Sequence, residues 1–156
     1  MEISQSFNSE EIAMLNKEIH EIHVSLYPEY FKEYDIEEVN EFFKKIVSTP
    51  HYYFYIVTDE GQSLGYAWLE IREYPENVFM KSYRSVYIHQ LGVMKAHRNK
   101  GIGRLLMNFI NNFAKENGIN KIQLDYWSDN ESAGHFYIQN GFKSYRNYLY
   151  REVDSM

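Results

Sequence analysis

The chain has 156 residues, 44% of them hydrophobic and 17% aromatic, which suits one compact domain with a substantial core. It contains no cysteine, so disulfide frameworks, thiolate zinc sites and cysteine nucleophiles are excluded. A formal net charge of −6 argues against a general polyanion binder, because affinity for nucleic acid comes mainly from neutralising many phosphates.

Residues 1–11 are mixed and carry acids, with no apolar stretch behind a basic start, and no later run approaches the roughly 18 apolar residues of a membrane span. A cytoplasmic protein with no membrane contact is expected. After a short opening strand around Ile3, residues 8–26 place Ile12, Leu15, Ile19, Ile22 and Leu26 at spacings of three and four. Asn8 and Glu11 can form a capping box, so a first helix is predicted there. His20 and His23 stand three apart on it, but no carboxylate completes a metalloprotease pattern. They read as surface or boundary histidines, and no metal is expected.

Pro28 ends this helix, and an aromatic, acidic link over 27–34 follows, with Glu29 and Glu33 among its tyrosines. Asp35 with Glu38 then offers a second capping box ahead of Ile36, Val39, Phe42, Phe43, Ile46 and Val47, which predicts a helix to about Ser48. Residues 51–58 are dense in aromatic and β-branched types. A turn at Asp59-Glu60-Gly61-Gln62 and an alternating run over 64–72 complete an antiparallel hairpin. Residues 73–83 form a loop, and 84–94 return as a strand whose apolar phase changes. Val86 and Ile88 follow one register, Leu91 and Val93 the other. Either a bulge near Gln90 or burial of both faces accounts for the change.

Helix three has one apolar stripe, Ile102, Leu105, Leu106, Phe109, Ile110 and Phe113, with Gly118 as its stop. Residues 121–127 then read as a strand, and Ser128 with Glu131 caps a short helix carrying Ala133, Phe136 and Tyr137. Gly141 ends that helix, and residues 142–153 supply a last extended stretch. The order predicts a single α/β domain over residues 1–156, an α+β mixed sheet flanked by helices.

Charge is segregated along the chain. Residues 77–115 contain no Asp or Glu but seven cations: Lys81, Arg84, Lys95, Arg98, Lys100, Arg104 and Lys115. A basic middle inside an acidic body suggests an anionic ligand held centrally. The cluster from Lys95 to Arg104 surrounds the run Arg98-Asn99-Lys100-Gly101-Ile102-Gly103, which joins a strand to an amphipathic helix. Backbone N–H groups converge at such a helix start, and the two glycines let a diphosphate approach without a Cβ in the way. A nucleotide P-loop would need Lys-Ser or Lys-Thr after its last glycine, and a dinucleotide fingerprint a glycine where Leu106 stands; neither fits.

The run from Gln90 to Leu106 resembles the acetyl-CoA motif of the GNAT superfamily of N-acetyltransferases, whose core is Arg or Gln, two residues, Gly, one residue, Gly or Ala. A second block from Asn130 to Phe142 is similar to the later motif of that superfamily, in which Asn, Ala, Phe-Tyr and Gly-Phe recur at this spacing. Together these cover residues 86–142 well, and the resemblance implies a GNAT-like acyl-CoA N-acyltransferase fold.

By this resemblance acetyl-CoA is the cosubstrate. Leu91, Gly92 and Val93 would pair their backbone with the pantetheine arm like an added strand. Arg98, Asn99, Lys100, Gly101, Ile102, Gly103 and Arg104 would hold the pyrophosphate, and Asn130, Ala133, Phe136 and Tyr137 would complete the cofactor site. Tyr137 would also protonate the departing thiolate, a phenol with a pKa near ~10 keeping its proton at neutral pH.

The sequence departs from many relatives in offering no carboxylate among Tyr87, Ile88, His89 and Gln90, where the superfamily often carries a glutamate base. His89 is the nearest titratable candidate, and Glu70 or Asp125 could serve through water. The resemblance implies transfer of acetyl to a primary amine of a small molecule, framed by the 27–35 link and the 73–83 loop, with no nucleic acid involved. It leaves room for a homodimer. Acetylation of a protein N-terminus or lysine, and a non-catalytic acyl-CoA-binding or sensing module, are the alternatives.

Overall fold

The computed structural model describes residues 1–154. Its elements are β1 (Glu2–Gln5), α1 (Ser9–Leu26), α2 (Ile36–Ile46), β2 (Tyr52–Asp59), β3 (Gln62–Tyr74), β4 (Tyr83–Val93), α3 (Ile102–Glu116), β5 (Ile122–Gln123) and α4 (Glu131–Gln139). Residues Met1–Asp125 make one compact unit, and the chain from Tyr126 on makes a second.

In the first unit five strands form one mixed sheet in the order β1-β2-β3-β4-β5, antiparallel except for the parallel pair β4–β5. α1 and α2 pack on one face, where Ile12, Leu15 and Phe43 bury against Phe54, Ile56 and Tyr66. α3 takes the other face, its Phe109 and Phe113 meeting the rings of Tyr55 and Tyr53 at 4.6 and 5.0 Å. Alternation along β2 and β3 therefore serves two helical layers at once, which is why residues 64–67 of β3 are all buried.

Local chemistry explains the helix boundaries. The Asn8 side chain accepts from the Glu11 amide at 3.2 Å, and Asp35 accepts from the amides of Glu37 and Glu38, each satisfying donors that the first turn leaves open. His20 and His23 are boundary residues as expected: the His20 ring lies 2.6 Å from the Lys32 carbonyl oxygen, and His23 stacks on Phe31. Together they clasp the 27–34 link against α1.

Three expectations are corrected. The strand over 121–127 shrinks to Ile122–Gln123, because only Val86 and Tyr87 of β4 pair with it. Residues 142–153 are not a strand: they join no ladder, and Tyr148 and Leu149 stand 99% and 86% exposed. α4 is capped by Asn130, whose side chain accepts from the Ala133 amide at 3.2 Å, rather than by Ser128. Among the described residues no helix is long and apolar enough to cross a membrane.

Two glycines mark where backbones approach most closely. A Cβ on Gly65 would lie 2.6 Å from the Gly92 carbonyl oxygen, which is backbone and cannot yield. A Cβ on Gly92 would instead strike the flexible end of Ile19, 2.7 Å from its Cγ1. Gly65→Ala should therefore cost about 1–3 kcal/mol and be indifferent to Ile19→Val. The smaller loss from Gly92→Ala should be partly relieved by Ile19→Val. Urea denaturation of the three single and two double variants checks this, and an unchanged midpoint for Gly65→Ala would remove the close-approach account.

Candidate active site

The phase change in β4 is a bulge. Trp68 of β3 faces Gln90 and Leu69 faces Ile88, so His89 is the extra residue. After it, Leu91 and Val93 oppose Ala67 and Gly65 and so continue the α3 face begun by Val86 and Ile88. Both sequence readings hold in part, since the faces are also both covered around Tyr66. Among the described residues no strand pairs with the outer edge of β4 beyond Tyr87, so the outward amides and carbonyls of residues 88–93 have no ladder partner on that side.

β4 leads straight into the basic turn. The Met94 amide donates to the Leu64 carbonyl at 2.9 Å, a single helical turn over 95–97 follows, and the Lys95 amide donates to Glu18 at 2.7 Å. Asn99 and Gly101 take positive φ values of 62° and 81°, turning the chain sharply into α3. The first intrahelical bond runs from the Leu105 amide to the Gly101 carbonyl, and no side chain caps the helix. The amides of residues 101–104 are therefore uncommitted, with no acid in the first turn and with Arg98, Lys100 and Arg104 exposed around them. Dipole, free donors and cations all favour an anion there. Arg98 also ties the turn back to β4, its Nε donating to the Val93 carbonyl at 3.3 Å.

His89 and Gln90 both project toward α1 and α2, the usual consequence of a bulge. The Asn16 amide donates to Gln90 at 2.5 Å and to the Tyr66 hydroxyl at 3.0 Å, and the Tyr66 hydroxyl also donates to Gln90. This buried triad anchors the bulge to α1. The His89 ring stacks on Trp68 at 4.5 Å, and the rings of Tyr52 and Tyr87 meet it edge-on.

Its Nε2 lies 2.7 Å from Glu70 Oε1, which also accepts from Arg72 Nε at 3.0 Å. Arg72 in turn covers the Tyr87 ring at 3.6 Å, and the Tyr87 hydroxyl donates to Asp125 at 2.8 Å. Burial lowers the His89 pKa from its ordinary value against the pull of Glu70, which favours the neutral ring. Burial, with the Asp125 bond behind it, pushes the Tyr87 phenol up to about 12.

The expected site residues thus fall into two groups. His89, Leu91, Gly92, Val93 and the Arg98–Arg104 turn follow one another along β4 and into α3 of the first unit. Asn130, Ala133, Phe136 and Tyr137 belong to α4 and its cap in the second. There the Asn130 oxygen is spent on capping the Ala133 amide, leaving its amide nitrogen for other work. Tyr137 packs against Phe136 and Phe142 at 5.3 and 5.4 Å, and burial pushes its phenol up to about 12.

Sequence reasoning missed Arg72. The signal was available in its i+2 spacing from Glu70 on a strand, which puts the two on one face. The same reasoning named Glu70 only as an alternative base acting through water and did not foresee its direct contact with His89.

Known proteins resemble the chain in sequence and in fold. The chain is 27% identical over 95 residues to the uncharacterized N-acetyltransferase YdgE of Bacillus subtilis, a match covering 61% of this chain and 57% of YdgE. The chain thus spans less than two thirds of the length of the curated relatives it matches. The BH1408 protein from Bacillus halodurans, solved as a tetramutant, superposes with a TM-score of 0.92 at 25% identity, covering 98% of this chain and 100% of that one. A predicted acetyltransferase from Clostridium acetobutylicum, solved with acetyl-CoA, gives 0.67 at 20% identity over 97% and 95% of the two chains. Residues 16–142 match the model of the acetyltransferase (GNAT) family, and the chain belongs to that family.

Proposed function

We propose that the protein is an acetyl-CoA-dependent N-acetyltransferase acting in the cytoplasm on the primary amine of a small molecule. The observation that carries this is the start of α3, where the amides of residues 101–104 are uncommitted, the first turn holds no acid, and Arg98, Lys100 and Arg104 are exposed. A diphosphate needs such an environment, each favourable charge near the helix end contributing about 0.3–1 kcal/mol. The open edge of β4 supports extended pairing of a pantetheine arm with Leu91, Gly92 and Val93. Acetyl-CoA in the Clostridium acetobutylicum neighbour supports the same ligand. The family match crosses both units, which supports their working as one domain.

Acetyl-CoA would bring an activated thioester. The acceptor nitrogen forms the new C–N bond as the C–S bond breaks. His89 takes the proton that nitrogen releases, and the Tyr137 phenol supplies one to the departing thiolate. Asn130, Ala133 and Phe136 would complete the cofactor site beside that tyrosine. The half-buried rings of Tyr52, Trp68 and Tyr87 around His89 favour a compact acceptor over an extended peptide, and the acidic body of the chain favours a cationic one by long-range attraction.

Calorimetry should find CoA and acetyl-CoA binding to the folded protein, more weakly as salt rises; absence of binding ends the proposal. Turnover of an amine panel, followed as free CoA thiol, should then separate an enzyme from a passive acyl-CoA binder. Preferential acetylation of peptides in mass spectrometry would move the acceptor to protein.

Tyr137→Phe should keep acetyl-CoA affinity and lower kcat roughly a hundredfold or more. Unchanged turnover would take Tyr137 out of the mechanism.

The His89 pKa is lowered, so its ring stays neutral and able to accept a proton until the pH falls below 6.5. The acidic limb of kcat/KM should accordingly lie below that value and vanish in His89→Gln.

A further inference from the structure

Three rings fix the plane of His89 but not which edge of it points where. Trp68 stacks on it at 4.5 Å with an interplanar angle of 18°, and Tyr52 and Tyr87 close the sides. A half-turn of the imidazole about its Cβ–Cγ bond leaves all three contacts in place while exchanging nitrogen for carbon at each position. Only Glu70 distinguishes the two orientations, because only one of them presents Nε2 to Oε1 at 2.7 Å.

Glu70 is itself held. Arg72 Nε donates to the same Oε1 at 3.0 Å, and the guanidinium is fixed over the Tyr87 ring at 3.6 Å. Both carboxylate and imidazole are about four-fifths buried as side chains, at 21% and 20% exposure. A carboxylate oxygen is an acceptor, so it demands the proton on Nε2 and leaves the lone pair on Nδ1.

We propose that Glu70 is the positioning residue of this site: it holds His89 in the Nε2–H tautomer and orientation, making Nδ1 the atom that takes the proton from the acceptor amine, while Arg72 fixes the carboxylate. The inference rests on the reading of His89 as the base of an N-acetyltransferase, and deepens it. In the proton transfer Nδ1 gains the N–H, the ring becomes an imidazolium, and its charge is met across the existing Nε2–H bond to Glu70. No further reactant is needed, and the proton leaves to water when the ring returns to neutral.

The charged and titratable groups facing His89 are Glu70 and Arg72 from β3, Tyr52 from β2, Tyr87 from β4 and Asp125 beyond β5. Glu70 and Asp125 favour the protonated ring and Arg72 opposes it, so substitutions on the two sides should move the titration in opposite directions. General loss of stability would not do that.

The test uses the full-length protein in two arms. Nitrogen-15 NMR of the imidazole should find the Nε2–H tautomer in the wild type. The titration midpoint should fall by about one pH unit or more in Glu70→Gln, which removes the anion, and rise in Arg72→Met, which frees the carboxylate for His89 alone. An Nδ1–H tautomer, or midpoints that stay put or shift together, would overturn the proposal. This arm needs no turnover, so it stands even if no acceptor is found, and that failure would count against the enzyme alone.

In kinetics, the acidic limb of kcat/KM should follow the NMR midpoints in both variants, with Glu70→Gln lowering the plateau at least tenfold, and Glu70→Gln should change nothing further in a His89→Gln background. A limb that survives His89→Gln and disappears in Glu70→Gln would make Glu70 itself the base and sink the positioning role.

Discussion

Trp68 pairs with Gln90 and Leu69 with Ile88, which leaves His89 with no partner on β3. That one unpaired residue decides what each face of β4 carries. Before it, Val86 and Ile88 bury toward α3; without it, the next apolar side chains toward α3 would be those of even-numbered positions, and Leu91 and Val93 would turn to the opposite side. The insertion keeps them in phase, and two consecutive polar side chains, His89 and Gln90, emerge on the α1 and α2 face. Gln90 is taken up by Asn16 and Tyr66, a buried set of hydrogen bonds joining α1, β3 and β4. Removing one member would leave the others unsatisfied at about 1–3 kcal/mol each. The bulge is thus locked by the helix laid across it, and His89 turns instead to Glu70 and the rings of Tyr52, Trp68 and Tyr87.

The same strand places the proposed anion site. Gly92 lets Ile19 of α1 lie directly on the β4 backbone, and Met94 is still bonded to Leu64 of β3. The chain therefore leaves the sheet along a defined line. From there, positive φ at Asn99 and Gly101 aims α3 back across the opposite face, where Phe109 and Phe113 find Tyr55 and Tyr53. Packing that holds the middle of α3 thereby fixes its uncapped first turn. The absence of a Ser, Thr, Asp or Asn cap at Gly101 costs helix stability, and that loss makes sense where an external anion would occupy the donors.

Much of this was legible in the sequence because it is written locally. Asn8 and Asp35 announce their helices through side chains that reach only three residues onward, and the shift from Val86-x-Ile88 to Leu91-x-Val93 makes the bulge one of two readings, which only the register of β3 against β4 decides. The basic turn is equally local, its glycines, cations and lack of acids lying within seven residues. What was not legible depends on partners far along the chain. Residues 121–127 and 142–153 have strand-like composition, yet a strand exists only where another supplies its ladder: two residues of β4 do so for the first, and none for the second. Glu70 and His89 stand nineteen positions apart, and only the register of β3 against β4, bulge included, brings them to 2.7 Å.

That register also sets the electrostatics of proton transfer. An amine in water is held protonated far above neutral pH, with ordinary alkylammonium values near ~10, so a base whose pKa lies below 6.5 cannot strip it at equilibrium. Such a group does better once attack on a carbonyl has begun, when the nitrogen has become strongly acidic and only a neutral, oriented acceptor is wanted. Burial against Trp68 and the charge of Arg72 keep His89 neutral and ready, and Glu70 lies where the positive charge would appear. The opposite adjustment is made at Tyr137. Its phenol, raised to about 12, retains its proton through the neutral range and gives it up only to a group that has become more basic than a free thiol, whose pKa is about 8.5. A thiolate forming in a buried site has that character, because desolvation raises its own pKa. Burial thus shifts His89 and Tyr137 in opposite directions, and in the proposed reaction each would be held in the protonation state from which its step begins.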